Sequence, residues 1–203
     1  MEHTGGYFRD FIRINPQLPE NFMLLLGSRS PRRHEIIRRM DIPYKVVDIP
    51  FDESKANTRE PLALAKAKNL AYTQALLPGE MLLTADTVVR VDGRILGKPR
   101  TEAQAREMLR LLSGREHTVE TGVCLRTAEK TNCFSEITRI TFKTLHPAEI
   151  DYYIRRYRPF DKAGAYGIQE WIGLTGIVSI QGDYYNVMGL PAAKTWKAIM
   201  GQT

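Results

Sequence analysis

Short apolar runs alternate along the chain with amphipathic and small-residue segments, a pattern that reads as strands interleaved with helices. Residues 22 to 26, Phe-Met-Leu-Leu-Leu, form a continuous apolar run ending at Gly27. A run this short and uniform predicts a strand buried on both faces of a sheet. After it, Ile36, Ile37 and Met40 recur at helical spacing. Ser30 stands at the N-cap and Pro31 at the first helical position, where its missing N–H does no harm. The first unit is therefore strand, tight polar loop, helix.

The pattern continues in the same vein. Residues 44 to 47 predict a strand before an acidic loop at Asp52-Glu53-Ser54, and the Ala, Leu and Lys content from Thr58 to Ala75 predicts a long helix. Residues 81 to 89 form a largely apolar strand with one carboxylate, Asp86, inside it. Asp92-Gly93 marks a hairpin turn, closed by Gly97-Lys98-Pro99. Thr101 to Gln104 has the capping-box form and opens a helix to Leu112. Alternating segments at 117 to 127 and 132 to 143 predict a long antiparallel hairpin, and Pro147 starts a helix rich in Tyr and Arg. A strand near 177 to 181 and a helix from about 189 complete the chain. Hairpins interrupt the strand–helix alternation, so the sheet is expected to be mixed.

Composition narrows the class. The chain has 203 residues, 43% hydrophobic and 26% charged, which suits a soluble globular protein and excludes collagen-like or broadly disordered readings. No stretch approaches the roughly 18 to 20 apolar residues that span a bilayer. Residues 1 to 20 carry no apolar core of a secretory signal and read as an appended arm, broken by Pro16 and Pro19; residues 21 to 203 read as one domain. A cytoplasmic setting is expected, with Cys124 and Cys133 as free thiols. The net charge of +6 favours anionic partners, phosphorylated small molecules or nucleic acid.

Several residues can carry chemistry. Ser28, Ser30, Arg32 and Arg33 put hydroxyl donors and guanidinium forks around a helix N-terminus, a place suited to phosphate. A capped helix start with solvated arginines is the plainer alternative, and no Walker A spacing is present. Asp86 lies among Leu82, Leu83, Val88 and Val89, where a lone charge costs several kcal/mol, so it needs a cation, a metal or a cleft. It is the leading catalytic candidate. Lys98 follows the hairpin and can point into a cleft, whereas lysines on the long helix, Lys66 and Lys68, are ordinarily solvated. Gln169 follows a flexible Gly-Ala-Tyr-Gly stretch, and its amide offers the donor and acceptor that a nucleobase edge requires. The Tyr/Arg run at 152 to 158 reads as a nucleic-acid face or as a packed aromatic stripe beside a solvated basic one. The four histidines show no metal-ligand spacing.

Five blocks together resemble one family: Ser28-Arg29-Ser30-Pro31-Arg32-Arg33, Ala85 to Val89, Gly97-Lys98-Pro99, Asp161 to Gln169, and Gly182 to Pro191. In order and spacing, from about residue 22 onward, they are similar to the Maf nucleoside triphosphate pyrophosphatases. The resemblance implies a mixed α/β fold of two lobes with a central cleft, like that of inosine triphosphate pyrophosphatases. The implied reaction converts a nucleoside triphosphate and water to the monophosphate and pyrophosphate with a divalent cation, Mg2+ or Mn2+, as part of clearing non-standard nucleotides.

By the same resemblance Ser28, Arg32, Arg33, Lys66 and Lys98 contact phosphate, and Asp86 is the proton acceptor. Arg32, Thr87 and Gln169 govern substrate choice, and Glu53 joins Asp86 as a metal ligand. The Asp161 to Gln169 block resembles the subgroup acting on dTTP and UTP rather than on 7-methyl-GTP. A glutamine amide pairs with uracil or thymine, yet flipped it suits cytosine equally. Two positions depart from the family pattern: Glu170 and Thr84 stand where glycine is usual. Family members are often dimers, which allows a homodimer; a membrane or a stable nucleic-acid partner is not expected. The rival reading is a basic nucleic-acid-binding module without catalysis, which would spread its charge along an extended stripe rather than one glycine-punctuated loop.

Overall fold

The computed structural model describes residue 15 and residues 17 to 201, so most of the proposed N-terminal arm lies outside the described residues. Seven strands and seven α-helices are described: β1 (Met23–Leu26), α1 (Pro31–Arg39), β2 (Tyr44–Val46), α2 (Pro61–Ala71), β3 (Glu80–Val91), β4 (Arg94–Leu96) and α3 (Glu102–Leu112) come first. They are followed by β5 (Glu116–Arg126), β6 (Thr131–Phe142), α4 (Pro147–Tyr157), α5 (Trp171–Gly176), β7 (Ile177–Gln181), α6 (Tyr184–Met188) and α7 (Ala192–Ile199).

All seven strands join one sheet in the order β2-β1-β3-β5-β6-β7, with β4 paired to β3. The β2, β1 and β3 pairings are parallel, and the remaining pairings are antiparallel. The mixed α/β sheet is therefore as expected. The apolar run of β1 is covered on both sides: Leu24 and Leu26 enter the main core, while Leu25 packs with Leu82 and Tyr72 in a second cluster.

Local chemistry explains the element ends. The β3–β4 hairpin turns at Asp92 and Gly93 with φ of 49° and 73°, the left-handed pair that favours Asp-Gly. Thr101 caps α3 by accepting from the Gln104 N–H at 3.2 Å. The Gln104 side chain instead accepts from the Arg100 N–H, so only half the expected capping box forms. Helix α2 is shorter at both ends than its composition predicts, because Pro61 starts it and Tyr72 is already extended.

One expectation changes. Cys124 and Cys133 are not free thiols: the β5–β6 register sets them directly opposite each other, and they are joined as a disulfide. Of the two readings of the Tyr/Arg run, the packing fits the aromatic stripe beside a solvated basic one. Tyr153 is fully buried and stacks on Tyr157, while Arg155 and Arg156 point to solvent, as helical periodicity separates them. Among the described residues no helix is long and apolar enough to cross a membrane.

Candidate active site

The site originates in a mismatch of strand lengths. β1 stops at Leu26, which pairs with Leu83, but β3 runs on to Val91. Gly27 donates to the Leu83 carbonyl at 2.8 Å, and the chain then leaves the sheet toward α1. A side chain at Gly27 would collide with Ile49, since a Cβ there would lie 2.7 Å from Ile49 Cδ1. Asp86 and Thr87 thus stand on the part of β3 that β1 leaves uncovered. This is the carboxyl end of the parallel strands, where open α/β sheets place their ligands.

A pocket of about 590 Å³ opens there. Its walls include Ser28, Arg32, Arg33, Glu53, Asp86, Thr87, Lys98 and Gln169, so it gathers every residue the sequence nominated except Lys66. Lys66 is exposed on α2 and does not line the pocket. Lys68, two positions later, does. The burial of Leu64 and Ala65 already marks its face, since i+3 and i+4 positions share one side of a helix.

Lys68 links two carboxylates. Its Nζ lies 2.7 Å from Asp86 Oδ1 and 2.5 Å from Glu53 Oε1. Burial alone would push the Glu53 carboxyl up, but the Lys68 ammonium, helped by Lys98 and Arg33, holds it below its ordinary value. Thr84 fits this arrangement. Its hydroxyl donates to the Ala65 carbonyl at 2.7 Å and accepts from Asn69, fixing α2 against β3 beneath Lys68.

The two arginines of the first loop differ in kind. Arg33 is buried and its guanidinium donates to the Gly189 carbonyl, Ser28 Oγ and Thr87 Oγ1 at 2.7, 3.1 and 3.0 Å. Burial lowers its pKa, and nearby Asp86 opposes that shift. Thr87 passes the chain on to Thr121 at 2.9 Å, and Thr121 donates to the Asn186 carbonyl at 3.0 Å. Arg32 instead pairs with Asp161, Nη1 to Oδ2 at 2.6 Å, and remains 18% exposed on the pocket wall. Ser30 occupies the N-cap position of α1, but its hydroxyl makes no capping bond, leaving the helix start open toward the pocket.

Lys98 is exposed and lines the pocket within electrostatic reach of Glu53. Gln169 lines the pocket with its amide oxygen buried and without a hydrogen-bond donor among the described residues. For a divalent cation, Glu53 and Asp86 supply hard oxygen donors on one side of the cleft. No cluster of three or more metal-ligating side chains exists among the described residues. A hard cation of the Mg2+ type would take the oxygens of Glu53 and Asp86 that Lys68 does not contact, since Lys68 Nζ already holds Glu53 Oε1 and Asp86 Oδ1.

Comparison with known proteins shows the family of the chain. The chain is 47% identical over 182 residues to the dTTP/UTP pyrophosphatase of Phocaeicola vulgatus, covering 87% of this chain and 94% of that protein. It is 45% identical over 185 residues to the dTTP/UTP pyrophosphatase of Bacteroides fragilis, with 89% and 96% covered. The protein of the same name from Porphyromonas gingivalis is 48% identical over 179 residues, with 85% and 90% covered. The family profile described as Maf-like protein matches residues 23–202. A basic loop, a carboxylate and an amide facing one another across a single pocket thus occur in a chain that belongs to the Maf family.

Proposed function

We propose that the protein hydrolyses pyrimidine nucleoside triphosphates, dTTP and UTP, to the monophosphate and pyrophosphate. The observation that carries this reading is the shared pocket: the Ser28–Arg33 loop, the Lys68–Asp86 pair and Gln169 line one cleft. The relatives' printed name supports the substrate class.

The triphosphate lies along the basic wall, with its oxygens on Arg32, Lys98 and Ser28 and on the Arg32 backbone N–H in the first turn of α1. Lys68 takes the phosphate-contact role that the resemblance assigns to Lys66, because only Lys68 reaches the cleft. Asp86 accepts a proton from a water that attacks the α-phosphorus; the bond from that phosphorus to the bridging oxygen breaks, and pyrophosphate leaves. Lys68 orients the Asp86 carboxylate and balances charge as it builds on the phosphates. Glu53 and Asp86 would hold a divalent cation, Mg2+ or Mn2+, which when bound neutralises charge on the phosphate oxygens. At the far end, the buried Gln169 oxygen is an acceptor waiting for a donor, and N3–H of uracil or thymine is one. Arg33 positions Ser28 and Thr87 rather than gripping phosphate with a free fork. Residues 21 to 203 act as one domain in this reading, in the cytoplasm where nucleotide pools lie.

Incubation with UTP and Mg2+, followed by separate assays for pyrophosphate and orthophosphate, tests the proposal. Pyrophosphate and UMP in equal amounts are expected. Orthophosphate as the product would mean a different bond is cut. No product from any nucleotide, together with salt-steep oligonucleotide binding, would favour the binding-module reading.

A further inference from the structure

Glu170 follows directly on Gln169, and its contacts do more than fill space. The carboxylate is divided between two partners: Oε1 lies 3.1 Å from Lys162 Nζ, and Oε2 accepts from the Tyr153 hydroxyl. The Tyr153 oxygen in turn accepts from the Gly167 N–H at 3.0 Å. Burial, reinforced by the bond to Glu170, pushes the Tyr153 phenol far up, so it stays a protonated donor. Lys162 is 8% exposed, lines the pocket, and spends its ammonium between Glu170 and Asp161 Oδ1 at 2.7 Å. Asp161 holds Arg32 with its other oxygen. One polar chain thus runs from Arg32 at the phosphate loop, through Asp161, Lys162, Glu170 and Tyr153, to the backbone of Gly167.

Gly167 shows how closely this chain is fitted. A Cβ there would lie 2.9 Å from Glu170 Cδ and 3.1 Å from Lys162 Cε, so the backbone is bare where the ion pair passes over it. Two residues later comes Gln169. Its orientation depends on the loop beneath it, because its own amide oxygen has no protein partner among the described residues.

We infer that Glu170 is a specificity-determining positioning residue: by bridging Lys162 and Tyr153 it fixes the 167–169 loop and so sets how Gln169 reads the nucleobase. The inference rests on the pyrimidine nucleotide pyrophosphatase reading above.

Glu170→Gln keeps the side chain's shape and removes the charge, and Tyr153→Phe removes only the hydroxyl. In steady-state kinetics each is expected to raise KM for UTP about tenfold while leaving kcat within about twofold, and to lower the kcat/KM ratio of UTP over CTP about tenfold. Inhibition by inorganic tripolyphosphate, which has no base, is expected to keep its Ki within about twofold. An unchanged UTP/CTP ratio in both variants, on an active wild-type background, overturns this inference alone. So does an equal loss of tripolyphosphate and UTP affinity, which a general loosening of the site would give. A wild-type protein that releases no pyrophosphate overturns the pyrophosphatase reading and this inference with it.

Discussion

Lys68 Nζ stands 2.7 Å from Asp86 Oδ1, joining the last turn of α2 to the uncovered stretch of β3. Both side chains are mostly enclosed, at 12% and 14% exposure, so each supplies the charge that makes the other's burial tolerable. Asp86→Asn keeps the shape and removes the proton acceptor. Turnover is expected to fall about 10³-fold, within the range for loss of a general base, while UTP binding by equilibrium titration changes only a few-fold. Full activity in this variant would assign the base to another residue.

Lys68→Met removes the cation that Asp86 and Glu53 share. A fall in kcat/KM of about 100-fold is expected, against less than about twofold for Lys66→Met on the exposed side of the same helix. Equal effects from the two substitutions would contradict the assignment of Lys68 to the cleft.

Arg32 pairs with an Asp161 that is half exposed, so its guanidinium can be drawn toward substrate phosphate. Arg32→Ala is expected to raise KM and lower kcat together, each about tenfold, because the phosphate is held more tightly as charge builds. An unchanged KM would remove Arg32 from the binding wall.

Most elements could be read from the chain because their signals are local. The apolar run of β1, the Asp92-Gly93 turn and Pro147 at the start of α4 each act within a few residues. What could not be read depends on partners distant in sequence. Lys66 and Lys68 differ by about 200° around a helix, and only the neighbouring sheet decides which of them faces the cleft. Arg33 is spoken for by the carbonyl of Gly189, a residue 156 positions away, which no local pattern announces. The disulfide likewise depends on the register of a hairpin, since a slip of one residue would set Cys124 and Cys133 on opposite faces.

Burial holds His117 down at a pKa of about 4, with its Nε2 2.7 Å from the Tyr166 hydroxyl. The unfolded chain binds this proton below about pH 6.5 and the folded chain does not. Stability from this residue is therefore complete above pH 6.5 and is lost as pH falls toward 4, by roughly 3 kcal/mol at the lower limit. Denaturation midpoints measured across that window should fall more steeply in the wild type than in His117→Phe. Parallel curves would show that His117 does not contribute to the acid sensitivity.

The guanidinium of Arg33 fastens residues 28, 87 and 189 to a single rigid plane. Three walls of the cleft consequently cannot drift independently. A substitution at Thr87 meant to retune the choice of base also tugs on Ser28, so gains at one end of the nucleotide come linked to losses at the other. Sequence change in this protein is easier at Lys66, which is exposed on α2 and lies off the pocket, than at the junction where the three anchors of Arg33 meet.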